Sequence, residues 1–160
     1  MMTVVSLVYQ PAASVAKPPY RYNREPVQQV ELVAGHGIQG DFKAGRNPKR
    51  HINILSSETN LQLAAEGFFT EPGQLGEQIV IRGLDVATLE KGDVLCLGDS
   101  AQIEITSTRT PCDWFELVQT KTIAQAKGRI GKMARVIASG TVHVGDAVRV
   151  LQQAEDAITP

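Results

Sequence analysis

Cys112 stands in the run Thr108-Arg109-Thr110-Pro111-Cys112-Asp113-Trp114-Phe115, directly after an alternating stretch over residues 101–106. That setting reads as a strand entering a helix, with Thr110 as N-cap, Pro111 at the first helical position and Asp113 in the first turn. A thiol at such a junction meets unpaired N–H groups and the positive end of a helix dipole, and both favour thiolate. Arg109 adds positive charge if it folds toward the sulfur, and Asp113 opposes it. A thiolate can act as a nucleophile, pass on sulfur or ligate a soft metal. The inert alternative is a buried thiol packed beside Trp114 and Phe115. Cys96, inside an apolar strand, reads as a small buried hydrophobe.

Arg46, Lys49, Arg50 and His51 form the densest basic run. Nearby glycines open the backbone, and open backbone with guanidinium groups can cradle a phosphate. A solvated loop is the plainer reading of the same residues. Glu77 and Gln78 follow Gly76 at the entry to a strand. Their carboxylate and amide suit the donor- and acceptor-rich rim of a heterocycle, or they cap the loop. The three histidines, His36, His51 and His143, lack zinc-site spacing, and no Cys-x-x-Cys occurs, so a structural zinc is not expected. No Walker motif and no Gly-x-Gly-x-x-Gly between strand and helix is present, which argues against a nucleotide-binding fold. A cysteine hydrolase with His36 or His51 as base can be written down, without a local signature to support it.

The elements that must position these groups are mostly short strands: residues 4–9, 27–34, 51–55, 78–82, 94–97, 101–106, 135–138, 141–144 and 147–151. Ser139-Gly140 reads as a hairpin turn. Four prolines between Pro11 and Pro26 indicate an ordered arm over the surface. The glycines of residues 35–41 exclude regular structure there. One helix is expected from Ser56 or Ser57 to Glu66, closed by Gly67, and another from Trp114 to about Lys127, stopped by Gly128. Many strands with two helices predict a mainly β domain, a closed or strongly curved β-barrel with a few peripheral helices.

With 160 residues, 42% hydrophobic and 21% charged, the chain fits a single globular domain over residues 1–160. A net charge of −1 gives no general attraction for nucleic acid. Two cysteines make no disulfide framework, and neither a leader nor a membrane span is evident, so a cytoplasmic protein is expected, with no membrane partner.

Taken in order, four segments resemble the MOSC domain family, named from the C-terminal part of molybdenum cofactor sulfurases. They are Gly37-Ile38-Gln39-Gly40-Asp41 with its basic loop, and Arg50-His51-Ile52-Asn53-Ile54-Leu55. Next comes Pro72-Gly73-Gln74-Leu75-Gly76-Glu77-Gln78-Ile79, continuing to Gly92-Asp93, and last Arg109-Thr110-Pro111-Cys112. The likeness runs over about residues 27–151. It implies a barrel-like fold and a cleft for molybdenum cofactor, a pterin carrying a dithiolene and a phosphate. Cys112 would be the molybdenum ligand or a persulfide sulfur carrier. Arg46, Lys49 and Arg50 would face the phosphate, and His51, Asn53, Glu77, Gln78, Arg109 and Thr110 the pterin and cleft walls. Lys43 and Gln78 stand where relatives often carry histidine and asparagine. The implied activity is reduction of N-hydroxylated substrates or sulfur transfer, the alternative being a non-catalytic cofactor carrier. An external sulfur donor or electron-transfer protein is the implied partner, and pyridoxal phosphate is not expected.

Overall fold

The computed structural model describes residues 1–152; residues 153–160 of the expected domain lie outside the described part. The strands are β1 (Thr3–Tyr9), β2 (Glu25–Val27), β3 (Gln29–Val33), β4 (Gly37–Ile38), β5 (Ile52–Ser56) and β6 (Ile79–Arg82), followed by β7 (Val94–Leu97), β8 (Ala101–Thr108), β9 (Lys132–Ala138), β10 (Gly140–His143) and β11 (Val148–Gln152). The helices are α1 (Ser57–Ala65), α2 (Asp113–Gln119) and α3 (Ile123–Ala126), with one short 3-10 turn at Val86–Thr88. In β8, Ala101, Ile103 and Ile105 are buried while Gln102, Glu104 and Thr106 are half-buried, so period-two alternation turns one face to the core. Strand β5 is buried along its whole length because it lies mid-sheet, antiparallel to β9 and parallel to β6. A parallel neighbour needs a crossover, and α1 is part of it.

The protein is mainly β, but a closed barrel does not form. Eight strands make one sheet in the order β11-β7-β8-β9-β5-β6-β1-β2, and β10-β3-β4 make a second. Among the described residues, strand β11 pairs only with β7 and β2 only with β1, so the large sheet keeps two edges. One bridge, Thr3↔Ala147, with flanking backbone hydrogen bonds, ties β1 to the turn before β11 without a strand ladder. Alternation and turn residues locate most of the strands, missing the short β2 and β4, whereas closure needs matched tilt and shear around a ring. At the β2 edge the strand is three residues long and contains Pro26, which has no N–H to extend a ladder.

Three further local expectations are revised. Ser139-Gly140 is not a hairpin turn: β9 stays in the large sheet and β10 crosses to β3 in the small one. Glycine is needed there because a Cβ on Gly140 would sit 2.6 Å from the Ala101 nitrogen. Within residues 35–41, Gly37 and Ile38 do form a short strand against Leu32 and Val33. The helix expected over residues 114–127 is two, α2 and α3. Thr120 adopts the left-handed conformation (φ 54°), and a capping box between Thr122 and Gln125 restarts the chain as α3. A β-branched residue is poorly suited to that region, so Thr120→Gly is expected to stabilise the protein by about 0.5–1 kcal/mol, read from urea unfolding midpoints.

Two apolar clusters divide the interior. The larger lies within the sheets, and the smaller joins Leu63 of α1, Phe115 and Val118 of α2, and Ala126 of α3 to Tyr22, Leu55, Phe68, Leu75 and Ile130. The second cluster carries the arm that precedes β2. Tyr20 and Tyr22 meet the Trp114 ring edge-on at 5.7 and 6.4 Å. No helix among the described residues is long and apolar enough to cross a membrane.

Candidate functional site

A cleft of about 620 Å³ opens where this arm meets the loop after β4, the start of β5, the Gly76 turn and the β8–α2 connection. Of the residues singled out in the sequence, Arg46, Arg50, His51, Asn53, Gln78, Arg109, Thr110 and Cys112 line it. Lys49 and Glu77 do not. Lys49 is exposed on the outer side of its loop. Glu77 is buried, and its two carboxylate oxygens accept the N–H groups of Gly73 (2.8 Å) and Leu75 (3.1 Å), so it caps its own turn. Burial pushes the Glu77 carboxyl above its ordinary value, with those N–H groups opposing the shift.

The N-cap of α2 lies two residues beyond Thr110, the residue expected to cap it. Cys112 itself is the N-cap residue, in extended conformation, and its side chain makes no capping hydrogen bond. The thiol is exposed at the cleft. Arg109 does not turn to the sulfur. Its guanidinium donates to the Leu75 carbonyl and to the Tyr22 hydroxyl (3.0 Å), clamping the Gly76 turn to the arm. Gly76 has φ +82°, and a Cβ there would overlap the same guanidinium, so glycine makes the clamp possible. Gln74 fastens the arm a second time, accepting the Tyr22 N–H (3.1 Å) and donating to the Tyr22 carbonyl (3.0 Å).

Asn53 and Gln78 hold one another. Gln78 Oε1 accepts the Asn53 N–H at 2.7 Å, and the Gln78 N–H donates to the Asn53 carbonyl at 2.9 Å. Asn53 Nδ2 donates to the Gly76 carbonyl at 3.3 Å, which leaves Asn53 Oδ1 sealed and unpartnered. His51 is buried, and its Nδ1 accepts the Val136 N–H at 2.9 Å. The ring is therefore the neutral tautomer protonated at Nε2, which has no partner. Burial first, then His36 and Arg135, lower the His51 pKa. A group whose folded pKa is depressed contributes stability above its unfolded value, which is lost as pH falls through the folded one. Unfolding midpoints are expected to fall as pH drops below the ordinary imidazole value of about 6.5, and His51→Gln to flatten that slope.

Residues absent from the sequence reading complete the walls: Gln10, Tyr22, Arg24 and Phe42, with Lys43 and Trp114 now given a place beside them. Arg24 Nε and Nη1, Gln10 Oε1 and Trp114 Nε1 are buried without partners. Burial pushes the Tyr22 phenol up, against the pull of Arg109, and Cys112 adds to the rise. Loss of hydration, then the charges of Arg24 and Arg109, lowers the Lys43 pKa. Five cations line the cleft, Arg24, Lys43, Arg46, Arg50 and Arg109, and no carboxylate does so among the described residues. No group of three or more His, Cys, Asp or Glu residues among them could hold a bare metal ion. The arrangement suits an anionic heterocyclic ligand with a thiol at its edge.

A mainly β domain with a cleft lined by cations and an exposed cysteine at a strand–helix junction is the class that fold and site define. The MOSC domain model matches residues 41–149, and the chain belongs to that family. Among solved structures, the YuaD protein from Bacillus subtilis matches with a TM-score of 0.70 and 19% identity, over 92% of this chain and 94% of that one. YiiM from Geobacillus stearothermophilus matches with a TM-score of 0.68 and 20% identity, over 95% and 76% of the two chains. YiiM from Escherichia coli gives 0.63 and 24%, over 96% and 72%. At these identities the likeness is one of fold. No curated protein matches the sequence.

Proposed function

We propose that the cleft binds molybdenum cofactor, with Cys112 as its soft ligand or as a persulfide sulfur carrier. One observation carries this reading: all the buried, unpartnered side-chain polar atoms of the described residues belong to Gln10, Arg24, His51, Asn53 and Trp114, and all five line this cleft. Such atoms are rare in native interiors unless a ligand or water satisfies them. His51 Nε2–H, a donor, and Asn53 Oδ1, an acceptor, lie two residues apart at the start of β5. Residues so spaced share a strand face, and a donor beside an acceptor matches the edge of a pterin. The cations of the inner lining, Arg24, Lys43 and Arg109, suit its phosphate.

Within this reading the chain's own groups have separate tasks. His51 stays neutral and holds its proton on Nε2 toward the ligand. Arg109 and Gln74 fix Tyr22 and the arm, so the wall is set before binding. Cys112 presents Sγ to solvent, within reach of an external sulfur donor or electron-transfer protein. The bound cofactor supplies a two-electron redox centre, or a metal site that accepts sulfur. Reduction of an N-hydroxylated substrate is the favoured activity.

The test is molybdenum and pterin analysis of the protein purified from a host that makes the cofactor. Retention of both is expected, and retention of neither overturns the reading. Sustained turnover of an N-hydroxylated substrate with an artificial electron donor then separates a reductase from a carrier.

A further inference from the structure

The resemblance points to the exposed loop of Arg46, Lys49 and Arg50 as the phosphate site, but the structure favours Arg24, which the arm before β2 brings into the same cleft. Arg24 lies on the arm just before β2, with its stem packed against Gly73, whose φ of +84° and missing Cβ leave room for it. Its Nη2 makes one long hydrogen bond, 3.4 Å, to the Gly76 carbonyl. Nε and Nη1 are sealed from solvent and have no partner. No carboxylate forms an ion pair with it among the described residues. The two nearby acids are committed elsewhere. Glu77 caps its turn, and Asp41 accepts the N–H groups of Gln10 (2.6 Å) and Lys43 (3.0 Å). Asp41 and Glu77 lie near enough to favour its charge, but neither pairs with it, so this half-buried guanidinium keeps two covered donors without a hydrogen bond.

We infer that Arg24 is the principal anchor for a tetrahedral oxyanion, a phosphate group received by Nε–H and Nη1–H when the guanidinium, covered in the unliganded chain, turns into the cleft it lines. The fork geometry of guanidinium matches two oxygens of such a group, and the low local dielectric strengthens each bond. Asp41 and Glu77 favour the charged guanidinium and Arg109 opposes it, while Arg24 and Arg109 both act on Lys43, so the three cations share one part of the lining and add to the attraction. The outer loop offers less. Arg46 donates Nε to the Phe42 carbonyl at 2.7 Å and lies over the Phe42 ring at 4.1 Å. Arg50 is exposed, so its hydration already satisfies it. That the phosphate belongs to a pterin cofactor rests on the preceding reading; the anion site itself does not.

Calorimetric titration of the full, cofactor-free chain with inorganic phosphate tests the site. Wild type is expected to bind, Arg24→Gln to bind at least about tenfold more weakly, and Arg46→Gln to change by less than about threefold. Arg82→Gln, on the far strand β6, controls for net charge. Arg24→Lys keeps the charge and the packed stem but loses the fork, and is expected to weaken binding with an unchanged unfolding midpoint. Absence of phosphate binding by wild type at millimolar concentration overturns the inference, as does wild-type affinity in both Arg24 variants or a larger loss in Arg46→Gln. Cofactor retention is read separately. Loss of phosphate binding in Arg24→Gln with no pterin ever retained by wild type supports the anchor and refutes the cofactor reading. Undiminished pterin and molybdenum in Arg24→Gln does the reverse.

Discussion

Replacing Cys112 with serine is expected to lower the molybdenum held per pterin while leaving most of the pterin and nearly all of the stability. The thiol is exposed and makes no capping hydrogen bond, so a serine hydroxyl fits without displacing a neighbour. A stability change within about 0.5 kcal/mol follows. The metal is another matter, because a neutral hydroxyl is a far poorer soft-metal ligand than a thiolate; with only the cofactor's own dithiolene left as soft ligand, a fall of about twofold or more in molybdenum per pterin is expected. Pterin should fall much less, since the unpartnered donors and acceptors of His51, Asn53, Arg24 and Gln10 are unchanged. The ratio of metal to pterin is therefore the measurement. If it stays constant while both drop, Cys112 supports the fold of the cleft and not the metal. A persulfide role gives its own readout: a sulfur adduct on wild type after exposure to a persulfide donor, absent from Cys112→Ser.

The order and spacing of the strands were legible because they are local properties. Alternation in β8, the apolar run of β5 and the Gly67 stop after α1 are each set within a few residues. What the sequence hid is long-range. Whether the sheet closes depends on β2 and β11, which lie at its two ends and differ in length and partner. The break at Thr120 was masked because threonine rarely takes the left-handed conformation that ends α2. In the site, the segments with glycines and basic residues could be found by type, and they include Cys112, His51, Asn53 and Gln78. Gln10, Tyr22 and Arg24 could not. They reach the cleft because Gln74, 52 residues away from Tyr22, and Arg109, 87 residues away, tie the arm down through hydrogen bonds. A run of prolines, tyrosines and arginines without apolar periodicity was the available sign that this arm belongs to a site.

Gly131→Ala is expected to be the most damaging single methyl group that can be added near the cleft. Gly131 has φ +95°, and a Cβ there would overlap the carbonyl oxygen of Ile54 and lie 3.0 Å from Asn53 Oδ1. The first obstacle is backbone in the central strand β5 and cannot rotate away, so the strand or the turn must move. The Gly131 carbonyl also accepts the Arg109 N–H at 3.0 Å, so a shift of the turn disturbs the residue that clamps Tyr22 to the Gly76 turn. Loss of about 3 kcal/mol or more is expected from backbone strain and steric overlap together. Gly128→Ala isolates the first of these contributions. Gly128 has φ +78° but nothing within 4 Å of the added methyl, so about 1 kcal/mol is expected. Urea unfolding of the two variants gives the difference, and ligand binding by the folded fraction of Gly131→Ala gives the cost to the site. Equal destabilisation of the two would mean that the packing of Gly131 against β5 is loose enough to yield, and that Asn53 is not held where the cleft geometry requires it.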